Sequence, residues 1–151
     1  MSAALALKTR LAQPMIIAAP GAPDSLTARL VQQAGFDATY MTGFGASSVR
    51  LGTPDLGLLT LTEMADHARN MVRAVDIPVI ADADTGYGGP LNISRTVEEY
   101  LQAGVAALHL EDQVAPKRCG QLAGIRLTPA DEAALRLKAA GTARGRNDPL
   151  I

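Results

Sequence analysis

The sequence predicts an α/β fold on a parallel sheet, namely the first half of a TIM-type (β/α)8 barrel that ends at the start of its fifth strand. Short apolar stretches alternate strictly with helix-length segments, which is the order of successive β/α units. The stretches are almost wholly apolar, as strands covered on both faces should be. Unusual polar and glycine-rich residues follow each stretch, which favours a barrel over an open sheet with a single crevice. Four units in 151 residues make half of an eight-unit barrel, which typically needs about 250 residues.

Helix caps, glycine stops and short apolar runs define the first two units. Asp24 or Ser25 can cap a helix that Gly35 ends. Proline and glycine close the apolar run before this helix, which predicts a first strand. The predicted elements of this part are a leading helix over 3–12, a strand over 15–19, a helix from 24 or 25 with Leu26, Leu30, Val31 and Ala34 on one face, a strand over 38–42, and loops over 43–48 and 51–60.

The same signals define the third and fourth units. Pro78 precedes an apolar strand, and Gly104 ends the helix that follows this strand's glycine loop. Thr128 and Pro129 begin a later helix, with a capping hydroxyl and then proline at the first helical position. The predicted elements are a helix from 62 with Met64, Ala65, Ala68, Met71, Val72 and Val75 inward, a strand over 79–83, a helix from 92 or 94 to 103, a strand over 106–111, a helix from 128 to 143, a turn at 147–149, and the first step of a fifth strand at 150–151.

Composition restricts the classes of partner and the compartment. The chain is 48% hydrophobic, enough for one domain over 1–151, and 14 basic against 15 acidic residues give a net charge of −1. This balance indicates neither a nucleic-acid nor an anionic-membrane partner. A single cysteine fits a reducing compartment, and the sequence contains no apolar run long enough for a transmembrane helix. We therefore expect a cytoplasmic protein.

Two aspartates at the end of the third predicted strand are candidate metal ligands. Asp82 and Asp84 alternate along the strand, so their side chains are expected to point the same way. Carboxylates that face one cavity repel each other unless a proton or a cation lies near them, and oxygen ligands suit Mg²⁺ or Mn²⁺. A plainer role is that one aspartate caps the next helix or binds loop amides. The glycines at 86, 88 and 89 and a third acid, Glu111, favour the metal site.

The fourth predicted strand presents His109 and Glu111 to the barrel interior, with Leu108 and Leu110 facing outward. Asp112 then points the other way and can anchor the following loop through backbone amides. The pattern leaves open whether His109 has a chemical role or is an interior histidine that only bonds to its neighbours.

The only cysteine lies in a polar loop, where a buried structural role is unusual. Cys119 follows Lys117 and Arg118 and precedes a glycine that permits loop movement. Nearby cations stabilise a thiolate, which is the reactive form of cysteine. We interpret Cys119 as a catalytic acid/base. The sequence contains two histidines and one cysteine, which does not favour a zinc site or a cysteine hydrolase, and Gly43-Phe44-Gly45 lacks the full dinucleotide fingerprint.

These residues, taken together, resemble the isocitrate lyase/phosphoenolpyruvate mutase superfamily, and most closely its short members of the 2-methylisocitrate lyase and dimethylmalate lyase type. The resemblance runs from about residue 13 to the end of the sequence, with its motifs in family order. The matching pieces are Pro20-Gly21-Ala22-Pro23-Asp24, Tyr40-Met41-Thr42-Gly43, Asp82-Ala83-Asp84-Thr85-Gly86-Tyr87-Gly88, Glu111-Asp112-Gln113 and Lys117-Arg118-Cys119-Gly120.

The resemblance implies a Mg²⁺-dependent carbon–carbon lyase that cleaves a 2-hydroxy di- or tricarboxylic acid. It implies metal ligation by Asp84, with Asp82 and Glu111 acting directly or through water. It further implies substrate binding by Tyr40, Thr42, Gly43 and Asp82, acid/base catalysis by Cys119, and a gating loop that carries Lys117 and Arg118. It also implies a small carboxylic acid as substrate and a homotetrameric parent enzyme.

The sequence departs from the family pattern in three places. Gln121 replaces the usual histidine after Cys-Gly, and Thr42 replaces a serine while keeping its hydroxyl. The family's next strand, with a carboxylate-binding arginine, is expected where Ile151 ends the sequence, so these residues alone are expected to be inactive. Two other interpretations remain: a phosphonopyruvate-type mutase or oxaloacetate decarboxylase, whose members commonly lack the cysteine, and a non-catalytic fragment that associates with other chains.

Overall fold

The computed structural model describes residues 2–145, and the predicted α/β fold with four β/α units is confirmed. Its sheet is parallel with the order β1-β2-β3-β4, so each strand pairs with the next one in the sequence. The strands are β1 Gly21–Ala22, β2 Thr39–Met41, β3 Val79–Asp82 and β4 Ala107–His109. The helices are α1 Ala3–Leu11, α2 Ser25–Gln33, α3 Gly43–Leu51, α4 Leu61–Ala74, α5 Pro90–Ala103 and α6 Ala130–Ala143.

Local sequence signals account for where the long helices begin and end. At α4, the Thr60 hydroxyl accepts from the Glu63 amide while the Glu63 carboxylate accepts from the Thr60 amide, which satisfies two free amides at once. At the end of α5, Gly104 takes the left-handed conformation, with φ of 88°, that a glycine adopts without strain. Asp24 caps α2 by accepting from the Thr27 amide, as predicted.

The main core lies between the outer face of the sheet and helices α4 and α5. Alternation along the strands sends Met41, Ala81 and Leu108 to this face, and all three are buried. Tyr100, on α5, is fully buried in the same cluster. Helix α4 contributes Met64, Ala68 and Met71, close to its predicted inner face. The outer face of the sheet therefore packs on a mainly aliphatic core that contains few aromatic residues.

The inner face of the sheet, which would face the centre of a barrel, is partly covered by α1. Leu7 from α1 packs with Ala107 of β4 and with Ile80 of β3, and Ile17 joins them. A cavity of about 350 Å³ remains beside these residues and extends to His109. The leading helix thus covers the lower part of the inner face, while the carboxyl ends of the strands stay open.

The predicted first strand is wrong by a few residues. Strand β1 is Gly21–Ala22, within a segment predicted to be a loop, while Met15 and Ile16 are exposed. Pairing decides the position, because Gly21 and Ala22 match Tyr40 and Met41 in register. The apolar residues before them pack against α1 instead of joining the ladder.

Residues 43–48 are predicted to form a loop because of their glycines, but in the structure they belong to a helix. Helix α3 begins at Gly43, and the Thr42 hydroxyl caps it by accepting from the Gly45 amide at 3.3 Å. The glycines serve close packing, since a Cβ on Gly45 would lie 2.8 Å from Pro23 Cβ. Glycine is therefore needed at position 45 for close contact with a neighbouring residue and does not indicate a turn.

Two details of other helices also differ from expectation. On α2 the buried residues are Ala28 and Val31, whereas Leu26 and Leu30 are exposed. At α6, Thr128 does not cap the helix; its hydroxyl donates to the Asp112 carbonyl instead. The predicted turn at 147–149 and strand start at 150–151 lie outside the described residues. Within 2–145, no helix combines the length and apolar character that crossing a membrane requires.

Candidate active site

Most of the polar residues singled out from the sequence meet where β2, β3 and β4 end. Parallel strands bring their carboxyl ends to one edge of the sheet, so residues far apart in sequence become neighbours there. The residues after β4 form a loop that folds back over this edge and carries Lys117 and Cys119. Backbone bonds join this loop to the rest of the site: the Glu111 amide donates to the Asp84 carbonyl at 2.8 Å, and the Cys119 amide donates to the Asp55 carbonyl at 2.9 Å.

Asp82 is the last residue of β3 and is held by two backbone amides. Its Oδ1 accepts from the Asp84 amide at 2.9 Å, and its Oδ2 accepts from the Gly43 amide at 3.1 Å. Gly43 must lack a side chain for this contact, because a Cβ there would lie 2.6 Å from Asp82 Oδ2. Asp82 therefore ties the start of α3 to the loop after β3.

Asp84 lies beyond the end of β3, so strand alternation does not explain its position. Its φ of 48° is in the left-handed region, which is uncommon for a residue other than glycine. The side chain is buried and its Oδ1 contacts Lys117 Nζ. Burial raises the pKa of Asp84 to about 6, although Lys117 opposes the shift. Asp84 therefore lies near Asp82 through a turn and not through the continuing strand that was predicted.

Lys117 is the centre of the acidic cluster. Its Nζ lies 2.7 Å from Asp55 Oδ2 and 3.9 Å from Glu111 Oε1, in addition to its contact with Asp84. The side chain is only 3% exposed. Burial alone favours neutral lysine, yet the carboxylates of Asp84 and Asp55 raise the pKa of Lys117 above its usual range. The lysine therefore stays charged and neutralises part of the cluster.

Glu111 joins the cluster from the loop after β4, with Gln113 holding it in place. Gln113 Nε2 donates to Glu111 Oε2 at 2.9 Å and to the Arg118 carbonyl at 2.8 Å. Gln113 Oε1 accepts from the Arg118 amide at 3.2 Å. Burial raises the pKa of Glu111 to about 6, with Lys117 opposing the shift and the nearby aspartates adding to it. Strand β4 ends at His109, earlier than predicted, but Glu111 reaches the site as expected.

The carboxylate oxygens of this cluster suit a hard divalent cation, although in this structure they are paired with Lys117. Asp82, Asp84 and Glu111 offer oxygen ligands, and Asp55 adds a fourth carboxylate against one ammonium group. Within 2–145, no three His, Cys, Asp or Glu side chains are grouped closely enough to hold a metal ion as they stand. Lys117 Nζ lies among these carboxylates and contacts those of Asp55 and Asp84. Excess negative charge nevertheless favours a cation.

The candidate substrate-binding residues lie on β2 and at the start of α3. Tyr40 is half-buried, and burial, together with the negative charges of Asp82 and Glu111, raises its pKa well above the usual range. Its phenol is therefore neutral and can donate. The Thr42 hydroxyl caps α3, and the Gly43 amide donates to Asp82. The first turn of α3 thus points towards the site, and a helix amino terminus favours carboxylates.

Cys119 lies beside a small apolar cavity at the edge of the site. The cavity has a volume of about 170 Å³ and is lined by Phe44, Pro54, Asp55, Cys119, Gln121 and Leu122. The two predicted cations do not share one role: Lys117 points into the acidic cluster, whereas Arg118 is exposed and donates to the Ala123 carbonyl. Cys119 is partly exposed and is a free thiol.

The remaining predicted residues have simpler positions. His109 faces the inner side of the sheet, as predicted, and its ring lies 5.2 Å from that of Tyr40 at a tilt of 40°. Asp112 anchors the loop through its backbone carbonyl, which accepts from both the amide and the hydroxyl of Thr128.

Three residues of the site were not identified from the sequence. Asp55 pairs with Lys117 across 62 positions, and the only local signal was an acid in a loop rich in glycine and proline. Gln113 is buried, and its polarity next to Glu111-Asp112 was the available signal. Tyr100 donates to the Asp82 carbonyl at 2.8 Å from within an apolar helix face, where an aromatic residue indicates core and gives no sign of this bond.

Comparison with known proteins places these residues in a family. The model of the phosphoenolpyruvate phosphomutase family matches residues 7–151. The chain is 47% identical over 151 residues to 2,3-dimethylmalate lyase of Eubacterium barkeri, covering 100% of this chain and 52% of that protein. It is 46% identical over 129 residues to 2-methylisocitrate lyase of Bacillus subtilis, covering 85% of this chain and 42% of that protein. The chain thus spans about half the length of these curated relatives.

Solved structures give the same result for the fold. A crystal structure of 2,3-dimethylmalate lyase superposes with a TM-score of 0.90 at 49% identity, covering 95% of this chain and 48% of that one. Phosphonopyruvate hydrolase in complex with oxalate and Mg²⁺ superposes with a TM-score of 0.88 at 32% identity, covering 98% of this chain and 50% of that one. The four β/α units correspond to half of these TIM-barrel enzymes. The chain therefore belongs to the isocitrate lyase/phosphoenolpyruvate mutase family.

Proposed function

We propose that this chain supplies the metal-binding and thiol-bearing part of a Mg²⁺-dependent carbon–carbon lyase of the 2-methylisocitrate lyase type. Its substrate is a 2-hydroxy di- or tricarboxylic acid, and its products are an α-keto acid and a dicarboxylate. One observation carries the proposal: a single loop brings Lys117 into the carboxylate cluster and places Cys119 against Asp55. Similarity to proteins named as lyases supports it.

The residues have distinct roles in this proposal. Asp84 would hold the cation, with Asp82 and Glu111 acting directly or through water, and Mg²⁺ (or Mn²⁺), when bound there, would supply stabilisation of negative charge on the keto-acid oxygens. Tyr40, Thr42 and Gly43 at the start of α3 orient a substrate carboxylate. As the bond between C2 and C3 breaks, the C2 hydroxyl gives its proton to solvent and becomes a carbonyl, and the electron pair of the broken bond stays on C3. The Cys119 thiol gives a proton to the carbanion at C3.

A phosphoryl mutase or an oxaloacetate decarboxylase is the second candidate within the family. The description of the matching family model favours it, since that model is named for phosphoenolpyruvate phosphomutase. Cys119 favours the lyase over the mutase, because the carbanion left by carbon–carbon cleavage needs a proton donor whereas phosphoryl transfer does not. It favours the lyase over the decarboxylase by resemblance alone, since decarboxylases of the family commonly lack this cysteine. A third candidate is a non-catalytic polypeptide that associates with other chains through the open inner face of its sheet.

The rest of the proposal concerns the parent enzyme, which we place in the cytoplasm as a homotetramer. A single cysteine and the absence of a long apolar run in the sequence support a reducing, aqueous compartment. These points are independent of the chemistry.

The experiment compares this chain alone with this chain completed by the carboxyl-terminal half of the 2,3-dimethylmalate lyase from Eubacterium barkeri. Each protein is assayed with Mg²⁺ on 2-methylisocitrate, 2,3-dimethylmalate, phosphonopyruvate and oxaloacetate. We expect lyase turnover from the completed protein and none from the chain alone, which spans about half the length of its relatives. Turnover confined to phosphonopyruvate or oxaloacetate would favour the second candidate. A monomeric, active 151-residue chain would contradict the half-barrel interpretation.

A further inference from the structure

Lys117 uses the same carboxylates that the proposed cation would need. Its Nζ contacts Asp84 Oδ1 and lies 2.7 Å from Asp55 Oδ2 and 3.9 Å from Glu111 Oε1. The Lys117 side chain is buried, with 3% of its surface exposed. We infer that Lys117 is an internal counter-cation that competes with the divalent ion for Asp84, so that ion binding repositions the loop carrying Cys119. This inference rests on the metal-binding part of the proposed function.

Charge makes the two cations alternatives at Asp84. The cluster contains the carboxylates of Asp55, Asp84 and Glu111 around the Lys117 ammonium group, with the charge of Asp82 nearby, so it attracts positive charge whether or not a metal ion is present. A divalent ion on Asp84 would lie within a few ångströms of Lys117 Nζ. Like charges at that separation repel strongly where water is excluded. The ammonium group must therefore leave Asp84 when the ion binds.

Asp55 determines where the lysine goes. Its Oδ2 is the other close partner of Lys117 Nζ, and its Oδ1 accepts from the Gly57 amide at 3.3 Å, which fixes the carboxylate in the loop between α3 and α4. Once Asp84 is taken by the ion, Asp55 remains as the partner for Lys117. The ammonium group therefore shifts towards Asp55 without losing its counter-charge.

The same residue connects this shift to the thiol. Asp55 accepts from the Cys119 amide through its backbone carbonyl, while its side chain holds Lys117 two positions earlier. Gln113 fastens the backbone of Arg118 between them. Lys117 and Cys119 thus lie on one short, braced segment, and a displacement of the lysine changes the surroundings of the thiol.

An ordinary structural ion pair would behave differently from a competing cation. A structural pair contributes to folding, and removing its lysine would leave ion binding unchanged or weaken it through loss of structure. A competing lysine has the opposite effect, because its removal strengthens ion binding. The sign of the change in affinity therefore separates the two roles.

The test measures Mn²⁺ binding to the 151-residue chain by the electron paramagnetic resonance signal of free Mn²⁺. Lys117→Met removes the charge with similar bulk, Lys117→Arg retains it, and Lys138→Met is the matched control at an exposed lysine on α6. We expect Lys117→Met to bind Mn²⁺ about tenfold more tightly than the unmodified chain. We expect the other two variants to match the unmodified chain, and Asp84→Ala to abolish binding.

A second measurement needs no change at Lys117. Cys119 is the only cysteine, so its reaction rate with iodoacetamide reports on the loop. Mg²⁺ prefers oxygen ligands over thiols, so any effect of Mg²⁺ on this rate comes through the loop. We expect added Mg²⁺ to change the rate several-fold in the unmodified chain and not in Lys117→Met.

The outcomes separate this inference from the proposal beneath it. Equal Mn²⁺ affinities in the unmodified chain and Lys117→Met would overturn the competition while leaving the metal site intact. A thiol rate that ignores Mg²⁺ in a chain shown to bind Mn²⁺ would overturn the coupling. No Mn²⁺ binding to any of the proteins would contradict both the metal site and this inference.

Discussion

The hydroxyl of Tyr100, within helix α5, donates a 2.8 Å hydrogen bond to the backbone carbonyl of Asp82 at the end of β3. Tyr100 is fully buried, and burial raises its pKa well above the usual range, so the phenol remains a donor. The bond connects the packed outer side of the sheet to the acidic cluster. Helix α5, which packs against the outer face of the sheet, thereby helps to fix the position of Asp82.

Tyr100→Phe should lower the free energy of unfolding by about 1–2 kcal/mol, because it removes a buried donor and leaves a carbonyl oxygen with one partner fewer. Urea unfolding followed by circular dichroism measures the change. Tyr87→Phe is the matched control, since the hydroxyl groups of Tyr87 and Tyr100 are 3.5 Å apart and make at most a weak bond. An equal loss in both variants would mean that the bond to Asp82 has no special importance.

Gly43→Ala should disturb the site through contact alone. The new Cβ would lie 2.6 Å from Asp82 Oδ2, so the carboxylate or the start of α3 must move. We expect a loss of about 1–3 kcal/mol in unfolding free energy, as for overpacking elsewhere. Gly141→Ala, on α6, would place its new methyl group with no atom within 4 Å, and should instead stabilise the chain by about 0.5–1 kcal/mol. Similar effects of the two substitutions would contradict the close contact at Gly43.

Cys119→Ser tests the acid/base role in the protein completed with the second half of its relative. A serine hydroxyl is a much weaker acid than a thiol near neutral pH, so lyase turnover should fall by about a hundredfold or more while substrate affinity stays nearly unchanged. Steady-state kinetics and equilibrium binding of an unreactive substrate analogue separate these quantities. Lyase turnover equal to that of the unmodified protein would contradict the acid/base role of Cys119.

Asp24 should give the chain a component of stability that disappears in acid. The hydrogen bond from the Thr27 amide lowers the pKa of Asp24 below its ordinary value of 3.8. Because the folded-state pKa is the lower one, this contribution is fully present above the unfolded pKa and is lost as pH falls through the folded one. Asp24→Ala should cost about 1 kcal/mol at neutral pH. Its difference from the unmodified chain should shrink below about pH 4, and a difference in unfolding free energy that is independent of pH would contradict the charged cap.

The features that follow from a regular repeat or a local signal along the chain could be predicted from the sequence. Alternation placed Leu108 on the outer face and His109 on the inner face, and the structure agrees. Caps and stops were local signals, so Asp24 and Gly104 also lie where the sequence indicated. These features need only the neighbouring residues to be determined.

Features decided by a distant partner were not readable. Strand β1 lies at Gly21–Ala22 because β2 pairs with it there, although the longer apolar run precedes it. Helix α3 looked like a loop because the need for glycine at position 45 comes from Pro23, a neighbour in space. Asp55 is a site residue because it pairs with Lys117, and no residue near Asp55 in the sequence indicates that pairing.

The hydrogen bonds of the Gln113 side chain restrict the loop that carries Lys117 and Cys119. One amide side chain bonds to both the N–H and the carbonyl of Arg118 and also to Glu111, which closes the segment into a small ring. Bonds of this kind hold the segment in one conformation once the chain has folded. Most of the chain entropy that an unbraced loop would lose on ordering is therefore lost at folding. If the segment contacted a bound molecule, little ordering cost would remain to be met on binding.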